Sequence, residues 1–491
     1  MAGRRPLALA LAAAALVAAA CSDPPSSGGD GARTEGEGGD GGPELPECPL
    51  DALDEAGGPV EITLWYGGIG GPTEDTLEAL IADFNASQDR VEVVASSQGA
   101  SFAEVYRKFE SAASADTGQL PDVVMLESTE LQSLADGGLM LPAEACMEAA
   151  GYEITGIEPA VRSAFSVGDV LYPGYMNVSS QVLFYNKAHW EQAGLDPDDP
   201  PGTLDELVEA ARALKEAGVS VRPLSFKAGH AVFVNWLAGE GVDVLDNDNG
   251  HDGLATEATF ADPVAVEALA TLQQMQQEGL LNAFGNVEGG IDHYLALVTE
   301  QSSMLIETST ASATIAQAVA GTITPEEAGI DFDASVLERA TLVPGTAPFP
   351  GLSRPGRVSA GGAGFFIVGT SDPAEQAGSW AFLEYMLQPE NAQRWHVEGG
   401  YLPVVKSVND EPAVQAFWQE DMAGVLLQPA VEQLQDADPD QPGPLAGPYQ
   451  DLVDEVQQAM EAVLFDGADP EAALTAAQED VTESLERYAA E

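Results

Sequence analysis

Two hydrophobic rhythms alternate along the first part of this chain. Val60-Glu-Ile-Thr-Leu-Trp-Tyr66 sets apolar against polar positions with the two-residue period of a strand. A glycine loop at 67–71 follows, and then Leu77, Leu80, Ile81 and Phe84 recur at helical spacing, predicting a helix that starts at Thr73. Residues 90–95 predict a second strand, 102–113 a second helix and 121–126 a third strand. That βαβαβ order implies a parallel sheet with covering helices. Ligands of such sheets sit beyond the carboxyl ends of the strands, which here are 65–68 and 127–129.

The pattern resumes further on. Gln181-Val-Leu-Phe-Tyr-Asn186 clusters apolar β-formers and predicts a buried strand, and a short helix at 187–194 is closed by Gly194. The Pro/Asp run to Pro201 is loop, and Thr203 with Glu206 makes a capping box for the next helix. Two more strands are predicted at 301–306 and 364–368. Asp372 caps and Pro373 opens a helix whose buried side carries Trp380, Leu383, Tyr385 and Met386. A second helix at 389–396 runs on to Gly399-Gly-Tyr-Leu-Pro403.

The first residues say where this fold is expected to work. Arg4 and Arg5, the apolar stretch 7–20 and the small residues before Cys21 make a secretory signal of the lipoprotein kind, 1–20, in which Cys21 becomes the acylated N-terminus. Its fourteen apolar residues fall short of the roughly 20 that cross a bilayer. Residues 22–46 are almost all Gly, Ser, Pro, Asp and Glu, so 21–58 reads as a lipidated start and a disordered linker. Cys48 and Cys146 are left in an oxidising compartment, where they are expected to pair.

Composition narrows the partners. The chain has 491 residues, 45% of them hydrophobic, enough for two or three domains with full cores. Its 80 acidic and 18 basic side chains give a formal charge of −62, or −64 once Arg4 and Arg5 leave with the signal. That balance argues against nucleic acid and against anionic membrane surfaces, both of which need Lys/Arg patches. It also opposes electrostatic steering of a phosphorylated ligand.

The order strand, "YNK", helix, "AGLDP", "PPGT", helix resembles the solute-binding proteins of ABC importers, and within them the group that binds sn-glycerol-3-phosphate and carbohydrates. "FLEYMLQPENAQRWHVEGGYLPV" resembles that group's corresponding stretch, and matching segments run over about 60–474. The resemblance implies an α/β, two-lobed periplasmic-binding-protein-like fold of type II. Lobe one would be 59–174 plus 308–359, lobe two 178–307 plus 361–491, with hinge crossings near Tyr175, Thr308 and Ala360. It implies a monomer that captures a sugar or polyol and hands it to the transmembrane subunits of a permease, without cofactor, metal or covalent chemistry. Carried over onto matching motifs, the ligand-facing residues would be Ser179 in "MNVSSQVLFYNK", Thr308 after "MLIE", Gly362 in "SAGGAG" and Tyr401 in "GGYLP". Glu127 in "PDVVMLEST" joins them, or Ser128 under a one-residue shift. Trp65 and Tyr66 are candidate stacking surfaces for a sugar ring.

One departure bears on the ligand. The glycerol-3-phosphate group carries an Arg on a late helix that neutralises the phosphate, and here Asp454 in "YQDLVDEVQQAM" takes that place. A carboxylate cannot hold a phosphate there, but it accepts well from sugar hydroxyls. Enzyme signatures are thin. The five histidines show no HExxH spacing. The run 246–253 looks like a calcium loop but has its glycine one place early, and reads as a turn. A secreted polysaccharide-active enzyme, which needs a carboxylate pair in a cleft, and a ligand-sensing lipoprotein are the competing classes.

Overall fold

The computed structural model describes residues 45–115, 119–285, 292–322 and 341–490. The signal segment, Cys21 and most of the linker lie outside them. The strands in chain order are β1 Val60–Tyr66, β2 Val91–Ser97, β3 Val123–Glu127, β4 Met140–Leu141, β5 Ser166–Val167, β6 Val170–Leu171, β7 Tyr175–Ser179, β8 Gln181–Asn186, β9 Leu224–Lys227, β10 Leu281–Phe284, β11 Met304–Thr308, β12 Pro344–Pro348 and β13 Gly361–Val368.

They form two large sheets, one to a lobe. The first has the order β2-β1-β3-β13-β4, with β7 alongside β13; β1 runs parallel to β2 and β3, and β13 antiparallel to its neighbours. The second has the order β10-β9-β11-β8-β12. Each sheet carries buried clusters on both faces, so strands such as β3 and β8 read as nearly continuous apolar runs. In β3, Val123 and Met125 enter one core while Val124 and Leu126 enter the other. In β8, Val182 and Phe184 face the core shared with the first lobe, and Leu183 and Tyr185 face the second lobe's own. A strand's period of two divides each run between two layers.

Local signals hold where residues act on their own backbone. The capping box of Thr203 and Glu206 opens the helix Leu204–Glu216, and one of Asp372 and Glu375 opens Pro373–Leu387. Gly194 ends its helix at φ 77°, in the left-handed region that glycine enters freely. Cys48 and Cys146 form a disulfide with Cα atoms 5.0 Å apart, tying the first described residues to the helix Ala143–Ala150.

The expected lobe boundaries need correction. The chain does not return to lobe one at Thr308: that residue ends β11, which lies between β8 and β9, and β12 stays in the same sheet by pairing with β8. The return comes at β13, which pairs with β3 and β7, so 361–368 belongs to the first sheet rather than to lobe two. The helix Pro373–Leu387 follows it there, burying Trp380 and Leu383 with Ile62 and Leu64 of β1. The first crossing is shorter than expected as well. β7 and β8 belong to different sheets, with Ser180 alone between them. A last crossing precedes the helix Met422–Gln435, which packs on β8 and β12.

Candidate ligand-binding cleft

Where the two sheets meet, a cavity of about 220 Å³ lies between the lobes. Lobe one supplies 127–129, at the carboxyl end of β3, and the start of β13. The crossing supplies 179–181. Lobe two supplies Thr308, the helix starting at His230, His251 and Tyr449. The loop 442–445 completes the wall.

The strand ends fix these groups firmly. Gly362 sits at φ 145°, and a Cβ there would lie 2.0 Å from the Asn177 carbonyl oxygen, so only glycine lets β13 approach β7 this closely. Ser180 is pinned to the second lobe: its N–H donates to Ser309 Oγ at 3.3 Å and its carbonyl accepts from Ser309 N–H at 2.8 Å. Beneath Thr308 lies a buried charge cluster. Glu307 accepts from the Thr308 N–H at 2.9 Å, stands 2.6 Å from His293 Nε2 and 3.4 Å from Lys227 Nζ. Burial alone would raise the Glu307 pKa; the Lys227 ammonium, His293 and the Thr308 N–H outweigh it and hold it at about 2.

The cleft itself is lined by groups that exchange hydrogen bonds more than charge. Burial, then the neighbouring Lys227, lowers His230 to about 4, so its ring is neutral. It meets the Tyr449 ring edge-on, with centroids 6.1 Å apart. Burial, then Glu127, pushes the Tyr449 phenol up, so it keeps its proton. Behind Glu127, Glu130 is pushed up to about 7 by burial and then by the carboxylates of Glu127 and Glu110. Gln181 and Thr129 are among the lining residues, and their buried Oε1 and Oγ1 atoms bond to no protein atom.

Five of the residues expected from sequence line this cavity: Glu127, its alternative Ser128, Ser179, Thr308 and Gly362. Four lie elsewhere. Tyr66 is buried in the first lobe, its hydroxyl donating to Glu74 at 3.1 Å, because the strand period turns it inward. Trp65 packs on the opposite core of the same sheet. Tyr401 stacks on Trp395 at 5.9 Å, outside the lining, while its carbonyl accepts from His396 Nδ1 at 2.6 Å. Asp454 is exposed on the helix Tyr449–Glu461 and accepts from Gln450 at 2.9 Å. The cleft meets only the first residue of that helix, one and a half turns earlier. His230, Asn235, His251, Tyr449 and the loop 442–445 were not foreseen as ligand-facing. A strand followed by a glycine and a helix start, as in "FKAGHAVFVNW", was the available signal for His230 and Asn235.

Among the described residues no group of three or more His, Cys, Asp or Glu could hold a metal ion. The 246–253 run is a turn, with Asn247, Asp248 and Asn249 all at φ between 52° and 54°.

A family model for bacterial extracellular solute-binding proteins matches residues 79–423. The chain belongs to that family. The sn-glycerol-3-phosphate-binding periplasmic protein UgpB of Escherichia coli K12 is 24% identical over 387 residues, covering 76% of this chain and 80% of that protein. Among solved structures, the GacH receptor of Streptomyces glaucescens aligns with a TM-score of 0.68 at 21% identity, covering 87% of this chain and 99% of that one. UgpB from Mycobacterium tuberculosis, in complex with glycerophosphocholine, aligns at 0.67 and 18%, covering 89% and 100%. The cyclic α-maltosyl-1,6-maltose binding protein of Arthrobacter globiformis aligns at 0.63 and 24%, covering 88% and 100%. The chain is thus an extracellular solute-binding protein of the two-lobed α/β kind and not an enzyme. Among the described residues no helix is long and apolar enough to cross a membrane.

Proposed function

We propose that this protein captures a small neutral sugar or polyol between its lobes and delivers it to the transmembrane subunits of an ABC permease, as a monomer anchored to the membrane through acylated Cys21. The observation that carries the ligand class is the cavity lining. Among the described residues it offers hydroxyls, amides, two imidazoles and the Glu127 carboxylate, with neither Lys nor Arg. Hydroxyls and amides both donate and accept, which matches a ligand whose every hydroxyl does the same. A phosphate asks instead for cationic or clustered N–H donors, and the nearby Lys227 is paired with Glu307. Glu127, Ser179, Thr308 and Gly362 are the sequence-derived contacts that fit this reading, joined by Gln181, His230, Asn235 and Tyr449.

Titration calorimetry of the mature chain with ribitol, glucose and sn-glycerol-3-phosphate decides between them. Binding of ribitol or glucose at least tenfold tighter than glycerol-3-phosphate is expected. The reverse order would overturn the neutral-ligand reading and favour a phosphorylated polyol like that named for the curated relatives. Labelling cells with a radioactive fatty acid should mark the wild type and leave Cys21→Ala unlabelled and released; an unlabelled wild type ends the anchor proposal.

A further inference from the structure

The segment 438–448, Asp-Pro-Asp-Gln-Pro-Gly-Pro-Leu-Ala-Gly-Pro, reads as a linker, yet 442–445 form a wall of the cavity. Prolines at 439, 442, 444 and 448 remove four N–H donors, so the segment can make little regular structure of its own. It is held from outside. Leu445 N–H donates to the Asn249 carbonyl at 2.8 Å, and the Gly443 carbonyl accepts from His251 Nε2 at 2.8 Å. Arg357 Nη1 donates to Gln441 Oε1 at 2.6 Å. On the other side the Leu445 side chain packs into the first lobe's cluster with Phe109 and Phe366, and Ser163 Oγ donates to the Pro439 carbonyl.

The holding turn is itself unusual. Asn247, Asp248 and Asn249 occupy the left-handed region in succession, which costs each of them and persists only when surroundings dictate it. Here they do: Asn249 Oδ1 accepts from the N–H groups of Val244 and Leu245, and the Asp246 carboxylate accepts from Thr256 and Glu257. The effect is to aim the Asn249 carbonyl and His251 at the strap. Gly250, at φ 88°, lies so close that a Cβ would stand 2.0 Å from the Leu445 carbonyl oxygen.

We propose that this pinned strap sets the upper size of the ligand. With it in place the cavity of about 220 Å³ falls below the roughly 300–1,000 Å³ of pockets for drug-sized molecules, which suits a monosaccharide or short polyol better than an oligosaccharide. Removing the pins lets the strap swing out and lengthens the cleft. The inference rests on the sugar-or-polyol reading, so its test also has a readout that needs no ligand.

Gly250→Ala and His251→Ala are made in the mature full chain and compared with wild type by calorimetry against ribitol, glucose, maltose and maltotriose. Wild type is expected to bind maltotriose at least tenfold more weakly than glucose or ribitol, and each variant to shrink that gap by tenfold or more. Amide hydrogen exchange at Leu445 should be protected in wild type and at least tenfold faster in the variants. Because Gly250→Ala strains the backbone, His251→Ala carries the test if the former does not fold. Maltotriose binding as tight as glucose in wild type overturns the proposal, as does an unchanged gap in variants whose Leu445 exchange has accelerated. If wild type binds none of the four sugars, the ligand class falls. The strap is then judged by exchange, and a wild-type Leu445 amide as fast as an exposed one overturns it.

Discussion

Replacing Glu307 by Gln keeps the shape of the side chain and removes the charge that His293 and Lys227 face. The carboxyl is 4% exposed on its side chain, and its pKa is held at about 2 against an ordinary 4.5. At 1.36 kcal/mol per pKa unit that difference is worth about 3 kcal/mol. The loss on breaking a buried ion pair, about 3–5 kcal/mol, points to the same size. The sign follows from the direction of the shift. A folded-state pKa below the unfolded one stabilises fully above about 4.5 and loses that contribution as pH falls through about 2. Urea denaturation of wild type and Glu307→Gln, monitored by tryptophan fluorescence at several pH values, should show a gap of about 3 kcal/mol at pH 7 that closes between pH 4.5 and 2. Comparing the two proteins at each pH cancels the many other carboxylates. A gap below 1 kcal/mol at pH 7, or one that does not narrow on acidification, refutes the argument that this cluster stabilises the cleft floor.

Two further outcomes follow. Cys48→Ala with Cys146→Ala opens a closure spanning 98 residues, and chain entropy makes that worth roughly 4–5 kcal/mol; differential scanning calorimetry should show a lower Tm, and an unchanged Tm contradicts it. Tyr449→Ala should weaken sugar binding tenfold or more, since a buried polar contact is worth about 1–3 kcal/mol, while Asp454→Asn should leave it within twofold; a reversal of that order in calorimetry would mean the ligand contacts the exposed face of the helix.

Much of the fold was legible because its strands are buried on both faces. Such a strand announces itself as an apolar run whatever surrounds it, as β8 does, while β1 and the helix Phe102–Ala113 lie where their alternating and helical periods put them. Capping boxes and helix-ending glycines are equally local. The lobe boundaries were not legible in that way, because which sheet a strand joins depends on partners far away in the chain. β11 and β13 are both apolar runs next to small residues, and nothing within either says that one pairs with β8 and the other with β3.

The cleft shows the same division at finer scale. Glu127, Ser179, Thr308 and Gly362, which the family resemblance implied, sit at strand ends, where a parallel sheet places its ligand, and they line the cavity. Tyr66 and Trp65 also sit at a strand end, yet their bulk gains more by burial in the two cores flanking β1 than by facing a polar cleft. Asp454 failed for a different reason. A helix can enter a cleft by its first residue alone, and Tyr449 does so, leaving Asp454 beyond its reach on a solvent face. The strap is the hardest case. Proline and glycine give it the composition of a linker, and its order comes from neighbours far away in the chain, among them a strained turn nearly two hundred residues earlier, whose grip on Gly443 spans 192 positions. Composition describes what a segment can do for itself; a wall held by its neighbours has to be found in three dimensions.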